Sequence, residues 1–445
     1  MARALILVLL IMGSALAWGQ PEKDAAASAA YQRLFESVKK SDFLRHFESI
    51  GASPSRLAGS DGERQTLAYV EREFRRLGLK NIRKEPFEVT VPDPESIGVL
   101  RSSDGNWSIS VLPLWPNLVR TSTCDVEGPM IYGRFGTLED LKGKSLDGAI
   151  VLLEFASGAN WRNAFKLGAQ AVVFVEPDSM DRTDAEQKFS STPLSAPRFY
   201  LPLRDAGPVL RAAFRTQKVR LTCRQNWVRR STYNLLADLP ARTPSKSAER
   251  LVLGAAADAM SVVPGRAPGA SGASSLAALL ELARQAASNP GNRPMTFVAI
   301  AANALGLQGW REYAERRLQE GKTQFLHVTL DLDQGRPTLG AFARSWYADY
   351  RNETLDPVRN LTRVLRANAD RMAPLHGVES GRFVTLDAAN DSDGRTWRNT
   401  IFGKFAFGCE PLMMAGMNAI TLATVETSRA RLDTRSEEHT SELQS

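Results

Sequence analysis

From residue 232 onward, short apolar segments alternate with helical segments, and this alternation constrains the fold more than any other feature. Residues 274–287 and 305–321 carry apolar side chains at helical spacing. The strand-like segments around them are TYNLLADLP (232–240), AERLVLGAAAD (248–258), MTFVAIAA (295–302), FLHVTLDLD (325–333) and NAITLAT (418–424). Continuous apolar strands that alternate with helices predict an α/β fold whose sheet is covered on both faces.

The first half of the chain adds two helices, a strand and a β-rich unit. Residues 26–80 contain two helical stretches, and Ser60 or Asp61 is the expected N-cap of the second. Residues 82–92 alternate as a strand and stop at prolines. Residues 119–226 hold short apolar strands separated by Gly and Asp turns. They predict a small β-rich unit inserted into the larger chain.

Both ends of the chain carry segments that we expect to lie outside the mature fold. Residues 1–17 combine an early Arg, an apolar run too short to span a bilayer comfortably, and an Ala-Leu-Ala cleavage pattern. They predict a signal peptide, a secreted or periplasmic location and no membrane span after cleavage; an uncleaved anchor is the alternative. Residues 435–445 equal the in-frame translation of a common sequencing adapter. We therefore expect the natural sequence to stop near Thr434, with the native C-terminal segment missing.

Charge and cysteine content limit the classes of partner and site. The 56 Lys and Arg residues against 49 Asp and Glu give a formal net charge of +7, but the basic residues are dispersed. This pattern predicts no nucleic-acid partner.

The cysteines are Cys124, Cys223 and Cys409, and no spacing among them resembles a zinc motif. In an exported protein we expect a disulfide between Cys124 and Cys223, which flank the inserted unit.

The loops that follow the predicted strands carry a family resemblance. They read GAAADA (254–259), GASGASS (269–275) before an AALLELA helix, and ANALGLQG (302–309). Together with residues 26–80 they resemble the co-catalytic zinc exopeptidases of metallopeptidase family 28, a group that includes bacterial leucyl aminopeptidases, glutamate carboxypeptidase II and the transferrin receptor. The resemblance implies a mixed sheet between helices, formed by residues 26–118 and 228–434. It also implies that residues 119–226 form a protease-associated (PA) domain.

The same resemblance implies a two-zinc site whose ligands are mostly missing from this chain. The family's general-base Glu corresponds to Asn303, and the Asp that orients a zinc-binding His corresponds to Asp258. Only Asp331 keeps a ligand type among the zinc-ligand positions, which correspond to Ala256, Ser271, Ala304, Asp331 and Arg429. We therefore expect no catalytic residue, no bound metal and no cofactor. A further hypothesis is that Arg429 pairs with Asp331 or Asp258 where metals once lay.

These substitutions predict an exported, catalytically inactive homologue of zinc exopeptidases that binds an unknown peptide or protein. One alternative is an active aminopeptidase or carboxypeptidase with a rearranged metal site. Its available donors would be His327, His376, Asp331, Asp333, Asp391 and Asp393. A serine hydrolase that uses Ser271 is disfavoured, because no G-x-S-x-G elbow surrounds that residue and no His is placed to activate it. The sequence leaves the oligomeric state open.

Overall fold

The computed structural model covers the central part of the chain most fully. Residues 1–31 and 425–445 lie outside the described part, so the predicted signal peptide, Arg429 and the adapter-like tail do as well. The described residues are 32–33, 36–178, 182–190, 192–243, 249–321, 325–332, 339–342, 370, 384–386 and 407–424. Among these residues, no helix is both long and apolar enough to cross a membrane.

The described helices flank a sheet and a barrel. The helices are α1 Lys40–Gly51, α2 Asp61–Arg76, α3 Leu138–Leu141, α4 Trp161–Lys166, α5 Arg182–Glu186, α6 Ala206–Phe214, α7 Ala270–Ser288, α8 Gln308–Gln319 and α9 Cys409–Met414. The predicted N-cap of α2 is Ser60, whose hydroxyl accepts a hydrogen bond from the backbone N–H of Glu63. Capping by a serine hydroxyl satisfies one of the N–H groups that a helix start leaves without a partner.

The strands divide between the two β structures. They are β1 Lys80–Pro92, β2 Gly98–Ser102, β3 Ser108–Pro113, β4 Cys124–Tyr132, β5 Ile150–Glu154, β6 Ala171–Val175, β7 Arg198–Leu201, β8 Lys218–Cys223, β9 Trp227–Leu239, β10 Arg250–Ala256, β11 Met295–Ile300, β12 Phe325–Asp331, β13 Leu339–Phe342, β14 Val384–Leu386 and β15 Asn418–Thr424. An eight-stranded sheet has the order β1-β9-β11-β10-β12-β15-β13-β14. The other strands close a barrel in the order β2-β3-β7-β6-β5-β4-β8.

The large sheet is mixed and lies between two helical layers, which confirms the predicted α/β fold class. Its centre, β11-β10-β12-β15, is parallel, while β9 and β13 run antiparallel to their central neighbours. One face packs against α1, α2 and α7, and the other packs against α8 and α9. The helix α7 is buried almost all round because it lies between the sheet and α1.

One glycine permits the close contact between α8 and the central strand. A Cβ atom on Gly254 of β10 would lie 2.3 Å from the ring of Trp310, which is 2% exposed. No side chain larger than hydrogen fits there without moving the indole. Gly254 therefore allows α8 to lie close to the sheet, and α8 starts directly after the loop that follows β11.

The barrel starts earlier in the chain than the predicted boundary at residue 119. The strands β2 and β3 pair with each other, β2 pairs with β8, and β3 pairs with β7, so residues 98–113 are part of the barrel. The sequence offers only short, weakly alternating segments there, and their membership depends on long-range pairing with β7 and β8. That this barrel is a PA domain stays a prediction.

Candidate functional site at the carboxyl ends of the central strands

The candidate site lies where three parallel strands end at the same edge of the sheet. The strand β10 precedes β11 and β12 in the chain but lies between them, so the connections that follow β10 and β11 run in opposite directions across the sheet. Such a reversal of strand order opens a crevice at the carboxyl ends, which is where ligands bind in open α/β sheets. Ala256 ends β10 and Asp331 ends β12, and both are partly exposed at this edge.

Asp258 connects the segment after β10 to the loop after β11. Its side chain is buried, with Oδ1 accepting a hydrogen bond from the N–H of Asn303 (2.8 Å) and Oδ2 accepting one from the N–H of Ala304 (3.0 Å). Burial raises the pKa of Asp258, and these two backbone bonds and the nearby Arg56 oppose that rise. Both oxygens of the carboxylate are therefore committed to holding the loop.

The loop that Asp258 holds has an unusual backbone. Ala302 (φ 51°), Gly306 (φ 62°) and Leu307 (φ 60°) all have positive φ values within the short connection between β11 and α8. Non-glycine residues rarely adopt this conformation, and it persists where surrounding contacts over-determine it. The bonds from Asn303 and Ala304 to Asp258 supply such contacts and hold the loop in this shape.

Arg56 fixes the segment between β10 and α7, and sequence reasoning missed it. Its guanidinium is fully buried and donates to three backbone oxygens at 2.7 Å each: Nη1 to Ala257, Nε to Pro268 and Nη2 to Gly269. Burial lowers the pKa of Arg56 to about 10, and Asp258 opposes that shift. The hypothesis that Arg429 pairs with Asp331 or Asp258 lies outside the described residues, whereas Arg56 supplies a cation beside Asp258. An Arg flanked by small and apolar residues in SRLAG was the available signal.

Glu63 is a second buried ionisable group that sequence reasoning missed. Its Oε2 accepts hydrogen bonds from the N–H of Gly59 (2.6 Å) and the hydroxyl of Thr232 (2.7 Å), while Oε1 has no hydrogen-bond partner among the described residues. Burial, and then repulsion from Asp258, raise the pKa of Glu63 to about 8. Glu63 is therefore mainly protonated at neutral pH, beside a carboxylate and a guanidinium.

The N-terminal turn of α7 lies against the end of β12. The N–H of Leu332 donates to the hydroxyl of Ser275 at 2.8 Å, and both residues are buried. Ser271, the predicted counterpart of the bridging Asp, is the second residue of α7, four residues before Ser275. The structure thus brings Ala256, Asp331 and the start of α7 to one edge of the sheet.

The described residues at this edge do not fit a pair of zinc ions. Zinc requires imidazole, thiolate or carboxylate donors. Ala256 and Ala304 have none, Asn303 offers an amide, and Asp258 already uses both oxygens on backbone N–H groups. Within the described ranges, no three His, Cys, Asp or Glu side chains cluster in a way that could hold a metal ion. Of the predicted ligand positions at this edge, Asp331 carries a carboxylate.

His327, a donor for the alternative metal site, lies in the core instead of at the site. Its side chain is fully buried, with Nδ1 3.1 Å from the carbonyl of Asn418 and Nε2 3.3 Å from the hydroxyl of Tyr313. Burial lowers the pKa of His327 to about 4. It precedes Asp331 by four residues, a distance of about 13 Å along a strand. The other proposed donors, His376, Asp333, Asp391 and Asp393, lie outside the described residues.

Cys124 and Cys223 face each other across two antiparallel strands of the barrel. They are direct register partners in β4 and β8, and both thiols are free. Burial raises the pKa of Cys124 to about 12 and that of Cys223 to about 11. The register places them at a separation compatible with a disulfide, and the bond itself stays a prediction.

Comparisons with known proteins first define the class of fold. BSAP, a zinc aminopeptidase from Bacillus subtilis, matches with a TM-score of 0.53 and 16% identity over 91% of this chain and 93% of that chain. A Peptidase M28 precursor from Shewanella amazonensis SB2B matches with a TM-score of 0.53 and 18% identity over 92% of this chain and 90% of that chain. The fold is therefore that of the zinc aminopeptidases.

The sequence then identifies the family. Residues 234–390 match the family model described as Peptidase family M28, and they include β10, α7, β11, α8 and β12. Over these residues the chain matches peptidase family M28, in agreement with the predicted resemblance of its loops. No curated protein matches the sequence.

Proposed function

We propose that this protein is an exported, catalytically inactive member of its family that binds a peptide or protein without cleaving it. The observation that carries the proposal is that Asp258 and Arg56 fix the loops at the site, while the side chains at the predicted ligand positions mostly lack zinc donors. Ala256 and Ala304 offer no ligand atom, and Asn303 stands where a proton-accepting carboxylate would be required.

The chemistry of a two-zinc peptidase explains why these replacements oppose catalysis. Such an enzyme holds a water between two metal ions while a carboxylate takes its proton. The amide of Asn303 does not accept a proton near neutral pH, and Asp258 is committed to backbone N–H groups. A single carboxylate at Asp331 is too small a donor set for tight zinc binding.

The retained architecture supports a binding role. Val262 and Val263, in the segment between β10 and α7, pack into the core of the barrel. The N–H of Trp115, which follows β3, donates to the carbonyl of Val262 at 2.7 Å. The crevice and the PA-like barrel are thereby joined through one segment, so a ligand in the crevice can contact both.

Peptidase assays test this proposal directly. The purified protein is incubated with a panel of aminoacyl-nitroanilides and with peptides that have a free C-terminal carboxylate, in the presence and absence of added zinc. We expect no turnover above buffer under any of these conditions. Turnover that a chelator abolishes and zinc restores would favour the alternative, an active aminopeptidase or carboxypeptidase with a rearranged metal site.

A further inference from the structure

A two-residue hairpin turn beside the candidate site carries exposed apolar side chains at its tip. Asn117 and Arg120 pair across the turn, with each backbone N–H donating to the other's carbonyl at 2.9 and 3.0 Å. The tip residues Leu118 and Val119 are 49% and 71% exposed. Leu118 has a φ of 52°, a conformation that such turns usually assign to Gly, Asn or Asp.

Leu118 therefore adopts a backbone conformation that is unfavourable for leucine, and the partial burial of its side chain offsets little of that cost. A leucine at positive φ is strained, and one that is half exposed gains little from burial in the folded chain. Residues held in this way cluster at ligand-binding sites, where the surrounding structure maintains them. The conformation of Leu118 thus points to a contact that the isolated chain does not make.

Leu118 and Val119 belong to a larger apolar patch, which we define as Leu118, Val119, Leu194 and Trp227. The indole N–H of Trp227 donates to the carbonyl of Val119 at 3.2 Å, and the side-chain amide of Asn117 donates to the carbonyl of Leu194 at 3.1 Å. Leu194 and Trp227 are 42% and 36% exposed. These hydrogen bonds hold the members of the patch in one surface region.

The apolar patch borders the candidate site. Trp115 lies with its ring centroid 6.5 Å from that of Trp227, and its N–H binds the segment after β10 through Val262. Trp115 and Val228 also pack against a small core that contains Ala302, with Leu305 packed against the same core. The apolar patch is therefore continuous with the loop after β11, the loop that Asp258 holds.

Exposed arginines lie within three residues of members of the apolar patch in the sequence and favour an anionic partner. Arg120 follows Val119 directly, and Arg224 lies close by because the N–H of its neighbour Gln225 donates to the hydroxyl of Thr123. Arg229 is 81% exposed and reaches Glu88 only at 3.9 Å. An ion pair so exposed contributes little, so the charge of Arg229 remains available to a partner.

We propose that the apolar patch binds an apolar side chain of an acidic peptide segment whose chain continues into the crevice. The inference rests on the proposed function in that it assigns peptide binding to the same crevice. A peptide is favoured over a lipid surface because the apolar patch is joined to the crevice through Trp115. An extended ligand would contact the apolar patch with its side chain and the arginines with its carboxylates.

The test compares two variants with the same substitution at leucines of nearly equal exposure. Leu118→Asn removes the apolar side chain and places a residue that tolerates positive φ, so we expect the fold to be at least as stable. Leu318→Asn is the control, because Leu318 is 48% exposed in the last turn of α8, about 15 Å along the helix from its start at the site. Thermal unfolding of both full-length variants verifies that they fold.

Isothermal titration calorimetry then measures binding of short synthetic peptides. One peptide contains Leu, Asp and Glu, a second has Lys in place of the acidic residues, and a third has Ser in place of Leu. We expect the acidic, Leu-containing peptide to bind at least about tenfold more tightly than the other two. We expect Leu118→Asn to weaken that binding about tenfold, the effect of leaving half a leucine side chain exposed, and Leu318→Asn to leave it unchanged.

Several results would overturn the proposal: binding of none of these peptides, equal weakening by both variants, or binding only to vesicles that contain anionic lipid. The vesicle result would assign the apolar patch to a membrane surface. Failure of the proposed function has a different signature. If the protein hydrolyses the acidic peptide with zinc, it is an enzyme, and a KM that rises about tenfold in Leu118→Asn alone would still support the role of the apolar patch.

Discussion

The buried carboxyl group of Glu63 makes the folded state sensitive to pH in a direction that can be tested. Its pKa is raised from an ordinary value of 4.5 to about 8, because burial and the nearby Asp258 disfavour the ionised form. The contribution of neutral Glu63 to the free energy of unfolding is fully present below about pH 4.5. It falls as pH rises toward about 8, because Glu63 ionises at a lower pH in the unfolded chain than in the folded one. Between pH 4.5 and pH 7 the loss amounts to about 3 kcal/mol.

Replacing Glu63 with Gln should remove this pH-dependent loss. A glutamine keeps a carbonyl oxygen for the N–H of Gly59 and the hydroxyl of Thr232, and it carries no ionisable proton. Urea unfolding followed by circular dichroism measures the free energy of unfolding of both proteins. We expect nearly equal stability at about pH 5, and we expect Glu63→Gln to be more stable by about 3 kcal/mol at about pH 7.5.

A second variant on the same helix supplies a control of opposite sign. The pKa of Glu71 is lowered by its hydrogen bonds to Lys84 and Arg75, so its ionised form contributes stability above its ordinary pKa. Glu71→Gln should therefore be less stable than the natural chain at about pH 7.5. The reasoning about Glu63 would be refuted if Glu63→Gln and the natural chain had the same pH dependence, or if Glu63→Gln were the less stable protein at about pH 7.5.

Three further predictions concern the site and the barrel. Arg56→Met should lower the free energy of unfolding by about 3 kcal/mol, since three backbone carbonyls lose their donor; an unchanged urea midpoint would contradict this. Asp258→Asn should cost about 1–3 kcal/mol and speed hydrogen exchange in the loop after β11, because an amide nitrogen cannot accept from a backbone N–H; unaltered exchange there would argue against the proposed clamp. Mild oxidation should join Cys124 to Cys223, detectable in a peptide map, and faster at higher pH because both thiol pKa values are raised; a pair that stays reduced would exclude the disulfide.

The strand and helix order of the large domain was predictable because its hydrophobic pattern is local. The runs that predict β10, β11, β12 and β15 are continuous and apolar, as expected of strands covered on both faces. The apolar side chains at helical spacing in residues 274–287 likewise predicted the helix α7. The positions of Ala256, Asn303 and Asp331 near one edge follow from the same order, because parallel strands end at a common edge.

The remaining features depend on contacts between distant parts of the chain. Residues 98–113 join the barrel only through pairing with β7 and β8. Arg56 and Glu63 look like ordinary surface residues in a polar linker and a helix start, yet both are fully buried. Their burial results from packing against the segment after β10 and against Thr232. The small and apolar neighbours of Arg56 in SRLAG are the one local signal of this burial, and Glu63 has no comparable signal.

Zinc content tests the central claim most directly, namely that the site no longer holds metal. The protein is purified from zinc-supplemented medium, and its metal is measured by elemental analysis beside a variant with the family's ligands restored. The restored variant carries Ala256→His, Ser271→Asp, Ala304→Glu and Arg429→His. We expect the natural chain to hold far less than about one zinc ion per chain and the restored variant to hold about one or more. Stoichiometric zinc in the natural chain, released by a chelator and regained on addition of zinc, would contradict the account.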